Sequence, residues 1–124
     1  MNLKLCEFIG QKARPIEAAL LMKGVFRIHR EYFKSGEFIF YADPVSNFGL
    51  RILRDGYYEP EMTNSILSLL DEGDQFIDLG GNEGYFSVLA ARKVGPTGRV
   101  LCIEPQQRLW EAIVKNLSIN NCGN

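Results

Sequence analysis

Apolar positions along the chain change their period several times, and each change marks an element. Pro15 suits a first helical turn, and Ile16, Ala19, Leu20 and the nearby Lys23 follow at helical spacing, so a helix is expected early in the chain. Between residues 36 and 58 the period falls to two. Phe38 and Phe40 alternate with Ile39 and Tyr41, and Phe48, Leu50 and Ile52 alternate with Gly49, Arg51 and Leu53. Each run suits a short strand, with Asp43-Pro44 and Ser46-Asn47 as turn residues, which predicts an antiparallel pair. Pro60 then opens a helix whose stripe is Met62, Ile66, Leu69 and Leu70, and Gly73 stops it. From Gln75 onward strand and helix alternate. Gln75 to Leu79 is a short apolar run, Tyr85 to Val94 is rich in helix formers, and Gly95-Pro96-Thr97-Gly98 ends that helix. Val100 to Ile103 is a second apolar run, after which Leu109, Ile113 and Leu117 recur every four residues beside Trp110 and Val114. Two consecutive strand–helix units imply a parallel sheet with helices on its faces, an α/β arrangement. Three zones result: a helical, basic segment over 1–35, short antiparallel strands over 36–58, and an α/β segment over 59–124.

Composition narrows the class. A chain of 124 residues with 46% hydrophobic and 23% charged residues is ordinary for one small globular domain. The formal net charge of -1 argues against a dedicated nucleic-acid binder. Seven basic and three acidic residues lie between Met1 and Lys34, a bias that reads as a solvated helix face. Cys6, Cys102 and Cys122 are odd in number and widely spaced, and His29 is the only histidine, so neither a metal site nor a disulfide framework is expected. Reduced thiols fit a cytoplasmic chain. Lys4 and Glu7 interrupt any signal-like run, and the apolar stretch from Ile16 to Met22 contains Glu17 and is too short to cross a bilayer, so no stable membrane insertion is expected.

The chemistry concentrates where the first parallel strand turns into its helix. Asp78 arrives near the carboxyl end of that strand, the place where open α/β sheets bind ligands. Gly80 and Gly84 let the backbone turn tightly or approach a ligand, and Asn82 is among the few other residues that tolerate a left-handed conformation. A dinucleotide fingerprint counted from Gly80 would need glycine where Asn82 and Tyr85 stand, and it fails at both. An acid directly before the turn would repel a pyrophosphate and suits a cationic ligand, such as the ammonium and sulfonium of S-adenosylmethionine (SAM). Glu104, about 20 residues beyond Gly84, ends the second strand, where a carboxylate can accept both ribose hydroxyl protons. Pro105 offers a compact surface beside the adenine, and Cys102 reads as a small buried strand residue.

These residues resemble the FkbM-type methyltransferases. The similarity is carried by Phe76 through Ser87, then Gly98-Arg99-Val100 and Ile103-Glu104-Pro105, with Gly56 through Glu61 upstream and Asn116-Leu117 and Asn120 downstream. The resemblance implies a Rossmann-like seven-stranded sheet, SAM as methyl donor, and an oxygen atom of a small-molecule or glycan-like hydroxyl as acceptor. It implies a SAM loop of Asp78, Gly80, Gly81, Asn82, Gly84 and Tyr85, Glu104 on the ribose with Pro105 beside it, and Glu59 near the methionine end. For Glu59 a role as a helix-start acid is an equally good reading. Gly81 departs from the commonest spelling, where alanine is frequent, and a smaller side chain there is expected to cost little. The resembled fold is expected to stop short here, before its third main strand, which leaves the catalytic residues unassigned and makes this the cofactor half of the enzyme, inactive and marginally folded alone. A bare sheet edge would then favour self-association or a partner chain. Three rivals stand beside this reading: a truncated gene product with no activity, a non-catalytic half-domain acting as an interaction module, and a nicotinamide-dependent oxidoreductase, which the glycine spacing disfavours.

Overall fold

The computed structural model describes residues 24–25 and 29–124. The helix expected around Pro15 lies outside the described residues. Strands β1 (Glu31–Ser35) and β2 (Phe38–Ala42) form an antiparallel hairpin in which Ser35 pairs with Phe38. Gly36, with φ 60°, takes the first of its two turn positions, where a tight hairpin needs a left-handed residue. Phe33, Ser35, Phe40 and Ala42 face inward, and Tyr32 and Ile39 face solvent.

The expected strand at Phe38–Tyr41 is therefore present, but its partner differs. Glu31–Ser35, assigned by sequence to the helical zone, is β1, and the run Phe48–Leu53 belongs to helix α1 (Asn47–Asp55). Local chemistry explains the correction. Ser46 caps the helix, its Oγ accepting the Gly49 N–H at 2.9 Å, and Gly56 ends it in a left-handed conformation. Phe48 and Ile52 are buried together because they are four residues apart, one helical turn, and not because they share a strand face. A Cβ at Gly49 would overlap the Asp43 carbonyl, so glycine lets α1 lie against the hairpin exit.

Helix α2 (Pro60–Leu69) leads to strand β3 (Gln75–Leu79), helix α3 (Tyr85–Val94), strand β4 (Arg99–Ile103) and helix α4 (Gln107–Ile119). β3 and β4 pair in parallel, Gln75 opposite Arg99 and Leu79 opposite Ile103. This is the expected α/β arrangement, a partial Rossmann-like fold of a parallel pair with a short antiparallel hairpin beside it. Asp78 is buried, and Phe76, Val100 and Cys102 half-buried, on one face of the pair. On the other face Ile77, Leu79, Leu101 and Ile103 are 60%, 76%, 55% and 45% exposed. Strands apolar on both sides are typical of parallel sheets covered on both faces. Among the described residues no helix is long and apolar enough to cross a membrane.

The core is aromatic. Phe40, Phe48 and Tyr85 have ring centroids 5.0–5.6 Å apart, and Tyr58 stands edge-on to Phe48 at 5.2 Å. Tyr85 brings the start of α3 into this cluster, which joins the hairpin to the parallel unit.

A second junction is polar. Asn116 and Asn120, one turn apart on α4, face the edge of β2. Asn116 Oδ1 accepts the Tyr41 N–H at 2.6 Å, and its Nδ2 donates to the Tyr41 carbonyl at 3.2 Å. Asn120 repeats the pattern at Ile39, accepting at 3.0 Å and donating at 2.7 Å. The two amides act as a surrogate strand for the hairpin's open edge. Asn116, with 0% exposure, also donates to the Glu83 carbonyl at 2.7 Å. Asn116→Ala would leave the part-buried Tyr41 N–H and carbonyl and the buried Glu83 carbonyl without this partner, and should lower unfolding free energy by about 3 kcal/mol in chemical denaturation. Asn120→Ala should cost about half as much, because Ile39, whose N–H and carbonyl it serves, is 43% exposed and Asn120 does not reach the glycine turn.

Candidate functional site

β3 ends at Leu79, and the chain crosses to α3 through Gly80-Gly81-Asn82-Glu83-Gly84. Three of these residues are left-handed: Gly80 at φ 84°, Asn82 at φ 50° and Gly84 at φ 84°. Asparagine at the middle position tolerates that conformation better than most side chains. The turn is clasped to the tip of β4, since the Gly80 and Gly81 N–H groups both donate to the Ile103 carbonyl, at 2.8 and 3.2 Å.

Glu104 reinforces the clasp. Its Oε2 accepts the Asn82 N–H at 2.9 Å and its Oε1 accepts the Gln106 N–H at 2.8 Å. A carboxylate has about four lone-pair sites, so each oxygen keeps capacity for a further donor. The Glu104 carbonyl receives the indole N–H of Trp110 at 2.7 Å, which fixes a half-exposed ring beside the exposed Pro105. Trp110 was read from sequence only as part of an apolar helix stripe. Its place one turn into the helix after an acid-proline pair was the available signal.

Asp78 is 8% exposed, close to the 9% of Glu104, and its Oδ2 accepts the Ser87 hydroxyl at 2.6 Å. Asp78 therefore ties the strand end to the first turn of α3 and sets the turn's shape from within. Ser87 was not singled out from sequence beyond its place in the motif, although a serine nine residues after a strand-end acid is the partner such a turn needs.

Glycine at position 81 is also required by its surroundings. A Cβ there would overlap the Cys102 sulfur and stand 3.3 Å from Asp78 Oδ2, so alanine is not a neutral alternative here. The glycine goes with a cysteine on the neighbouring strand. Burial, with the Asp78 and Glu104 charges adding to it, pushes the Cys102 thiol up, as suits an unreactive packing residue.

Tyr85 turns inward to the aromatic core, its hydroxyl 3.4 Å from Thr63 Oγ1, so its contribution to the turn is through its backbone and its packing. Glu59 stands apart from the Asp78–Glu104 group, exposed at the N-cap of α2 in a left-handed conformation, φ 41° and ψ 70°. Its side chain does not cap the helix, and its carboxylate lies near the Tyr58 hydroxyl. Burial, helped by that carboxylate, raises the Tyr58 pKa to about 12. Tyr58 touches Tyr85 at 5.5 Å, which links Glu59 indirectly to the start of α3. Among the described residues no group of three or more His, Cys, Asp or Glu could hold a metal ion.

The structure thus joins Asp78, Gly80, Gly81, Asn82, Gly84, Glu104 and Pro105 at the carboxyl ends of two parallel strands. Gly80 and Asn82 are exposed residues, and the space over Gly80 is open. A glycine turn between a parallel strand and a helix, with an acid at the neighbouring strand's tip, is the plan of a Rossmann-like nucleotide-cofactor domain. The chain belongs to the protein-L-isoaspartate(D-aspartate) O-methyltransferase (PCMT) family, whose model matches residues 7–124. It is thereby a class I SAM-dependent methyltransferase by family, and that membership implies SAM as the methyl donor. No curated protein and no solved structure matches the chain.

The Gly81–Cys102 contact has a measurable signature. Gly81→Ala should destabilise the chain by about 1–3 kcal/mol through overpacking. Cys102→Ala should restore much of that loss in the double variant, a coupling read by a denaturation double-mutant cycle.

Proposed function

We propose that the Gly80–Gly84 turn and Glu104 form the SAM site of an O-methyltransferase resembling the FkbM type. The observation that carries this reading is the Asn82 N–H bonded to Glu104 Oε2, which brings turn and acid into one constellation. In it the ribose hydroxyls donate to the remaining lone pairs of Glu104, the adenine lies beside Pro105, and Gly80, Gly81 and Asn82 face the rest of the nucleoside. Gly84 and Tyr85 shape the turn, Asp78 holds it from within, and Glu59 with Tyr58 stands toward the methionine end. The Glu104 charge favours a cationic nucleoside over a pyrophosphate. A dinucleotide would also need glycine in place of Asn82 and of Tyr85, and the Tyr85 ring is committed to the core.

SAM supplies an activated methyl group, and transfer mainly requires an acceptor atom held in line with it. The chain's own part in that step is to fix the donor's orientation. Oxygen as acceptor is supported both by the resemblance and by the name of the matching family. The two differ in the kind of oxygen, since the resemblance implies a hydroxyl and the family name points to the carboxyl of an isoaspartyl residue. Labelled methyl transferred to a hydroxyl survives mild alkali as an ether, whereas a carboxyl methyl ester releases methanol.

Trp110 gives a direct binding assay, because it is the only tryptophan and is bonded to Glu104. S-adenosylhomocysteine should change its emission saturably, and NAD should not. Glu104→Ala should weaken the ligand about tenfold to a hundredfold, the range for losing hydrogen bonds to a charged group. Undiminished affinity in that variant would remove the acid from the site and the reading with it.

A further inference from the structure

Glu83 is the charged residue of the glycine turn, yet its side chain points away from the exposed backbone. It is 2% exposed, and its Oε2 lies 3.4 Å from Arg30 Nη1 and accepts the Asp43 N–H at 3.3 Å. Asn116 holds the carbonyl of the same residue, and the Ser46 hydroxyl, near the carboxylate, donates its proton to the Asp43 carbonyl at 2.8 Å. Arg30 directly precedes β1, Asp43 directly follows β2, and Ser46 caps α1. The carboxylate therefore joins two points on the margin of the hairpin, Arg30 and Asp43, with Ser46 tied to the second of them. Arg30 Nη1 is buried and has no hydrogen-bond partner among the described residues, and the ion pair with Glu83 offsets that nitrogen's burial. On either side of Glu83, Asn82 and Gly84 occupy left-handed conformations. A residue anchored between two such positions fixes how far Asn82 presents its N–H to Glu104.

We infer that Glu83 is a positioning residue for the cofactor turn: its pair with Arg30 ties the turn to the hairpin, and SAM affinity depends on that tie. The inference rests on the SAM reading above. It assigns the hairpin a part in cofactor binding although the hairpin lies outside the parallel unit.

The ionic state of Glu83 is what the tie uses. The groups facing it are Arg30, which favours its charged form, and Asp43 with the Ser46 hydroxyl, while Asn116 contributes only an amide. Burial pushes the Glu83 carboxyl above the ordinary carboxylate range, with the Arg30 guanidinium opposing. Protonation therefore begins at a higher pH than for an exposed glutamate, and it removes the pair as pH falls. Ligand affinity should fall with it.

The test combines ligand titration with amide exchange. In the wild type, S-adenosylhomocysteine affinity should drop as pH is lowered through the raised Glu83 pKa. In Glu83→Gln it should be about tenfold weaker at neutral pH and should lack that component of the profile, His29 being retained in both. Arg30→Met should mimic the loss, and Arg30→Lys, which keeps the charge, should recover most of it. Without ligand, exchange at the Asn82 and Gly84 amides should be about tenfold faster in Glu83→Gln and Arg30→Met. The double variant Glu83→Gln/Arg30→Met, which buries no charge at this point, should keep the wild-type melting temperature or exceed it and still bind weakly. A merely structural role predicts the reverse: lost melting temperature with unchanged affinity per folded molecule. Wild-type affinity and exchange in Glu83→Gln and Arg30→Met would overturn the positioning role alone. If the wild type bound no S-adenosylhomocysteine while turn exchange still followed Glu83, the SAM reading would fall and the tie would stand.

Discussion

The Asn116 amide is the interaction on which the arrangement depends. An amide on a helix can substitute for a strand because two repeats nearly coincide. Four helical residues advance about 6 Å and two strand residues about 6.6 Å. Asn116 and Asn120 therefore meet Tyr41 and Ile39 in step, each amide serving one N–H and one carbonyl. The hairpin's open edge is satisfied without a third strand. Because the second Asn116 proton goes to the Glu83 carbonyl, the amide that positions the hairpin also holds the glycine turn. Apolar packing around Phe40, Phe48 and Tyr85 supplies the larger share of cohesion, since burial of such rings is the main favourable term. Packing of that kind is non-directional, and the asparagines fix the register that it leaves open.

Within the turn, inward and outward tasks fall to different residues. Asp78 and Glu83 face the interior, the first bonded to Ser87 and the second to the hairpin margin. Gly80 and Asn82 are exposed on the outward side, and Glu104 reaches across from β4. The shape of that side is set in part by side chains that face away from it. Such a surface has little conformational freedom to lose when a ligand arrives, which is the general advantage of preorganisation. The SAM donor implied by the family suits a site of this kind, where orientation matters more than acid–base chemistry.

Much of this was legible in the sequence, and what escaped did so for identifiable reasons. The boundaries of β3 and α3 follow from an apolar run meeting glycines and from a helix ended by Gly95. The span from Phe48 to Leu53 misled because apolar residues at 48, 50, 52 and 53 satisfy both a period of two and a helical stripe. The serine cap at Ser46 and the left-handed Gly56 decide for the helix. β1 was missed because Glu31–Ser35 has only two inward positions, Phe33 and Ser35, and one of them is polar. Glu104 and the glycines of the candidate site are legible because spacing alone places them at the ends of β3 and β4. The site's internal ties were not found, since Arg30 and Glu83 are 53 positions apart and no local pattern relates them. Asn116 and Asn120 were noticed only as part of a resemblance, and the geometry supplies their physical role.

The buried charge at Glu83 shows how stability and placement can oppose each other. A carboxyl whose folded pKa is raised disfavours the ionised folded state at neutral pH, because the unfolded chain ionises more readily. By the same linkage, proton uptake as pH falls stabilises the folded chain relative to its neutral-pH value. Stability alone would therefore favour a neutral side chain at this position, and a neutral partner in place of Arg30. A neutral pair would be less selective about direction, whereas the guanidinium favours the carboxylate at one place on the hairpin margin. Glu83 thus contributes orientation at a cost in stability. Asn116 and the aromatic cluster, which hold the same junction without charge, allow the fold to tolerate that cost.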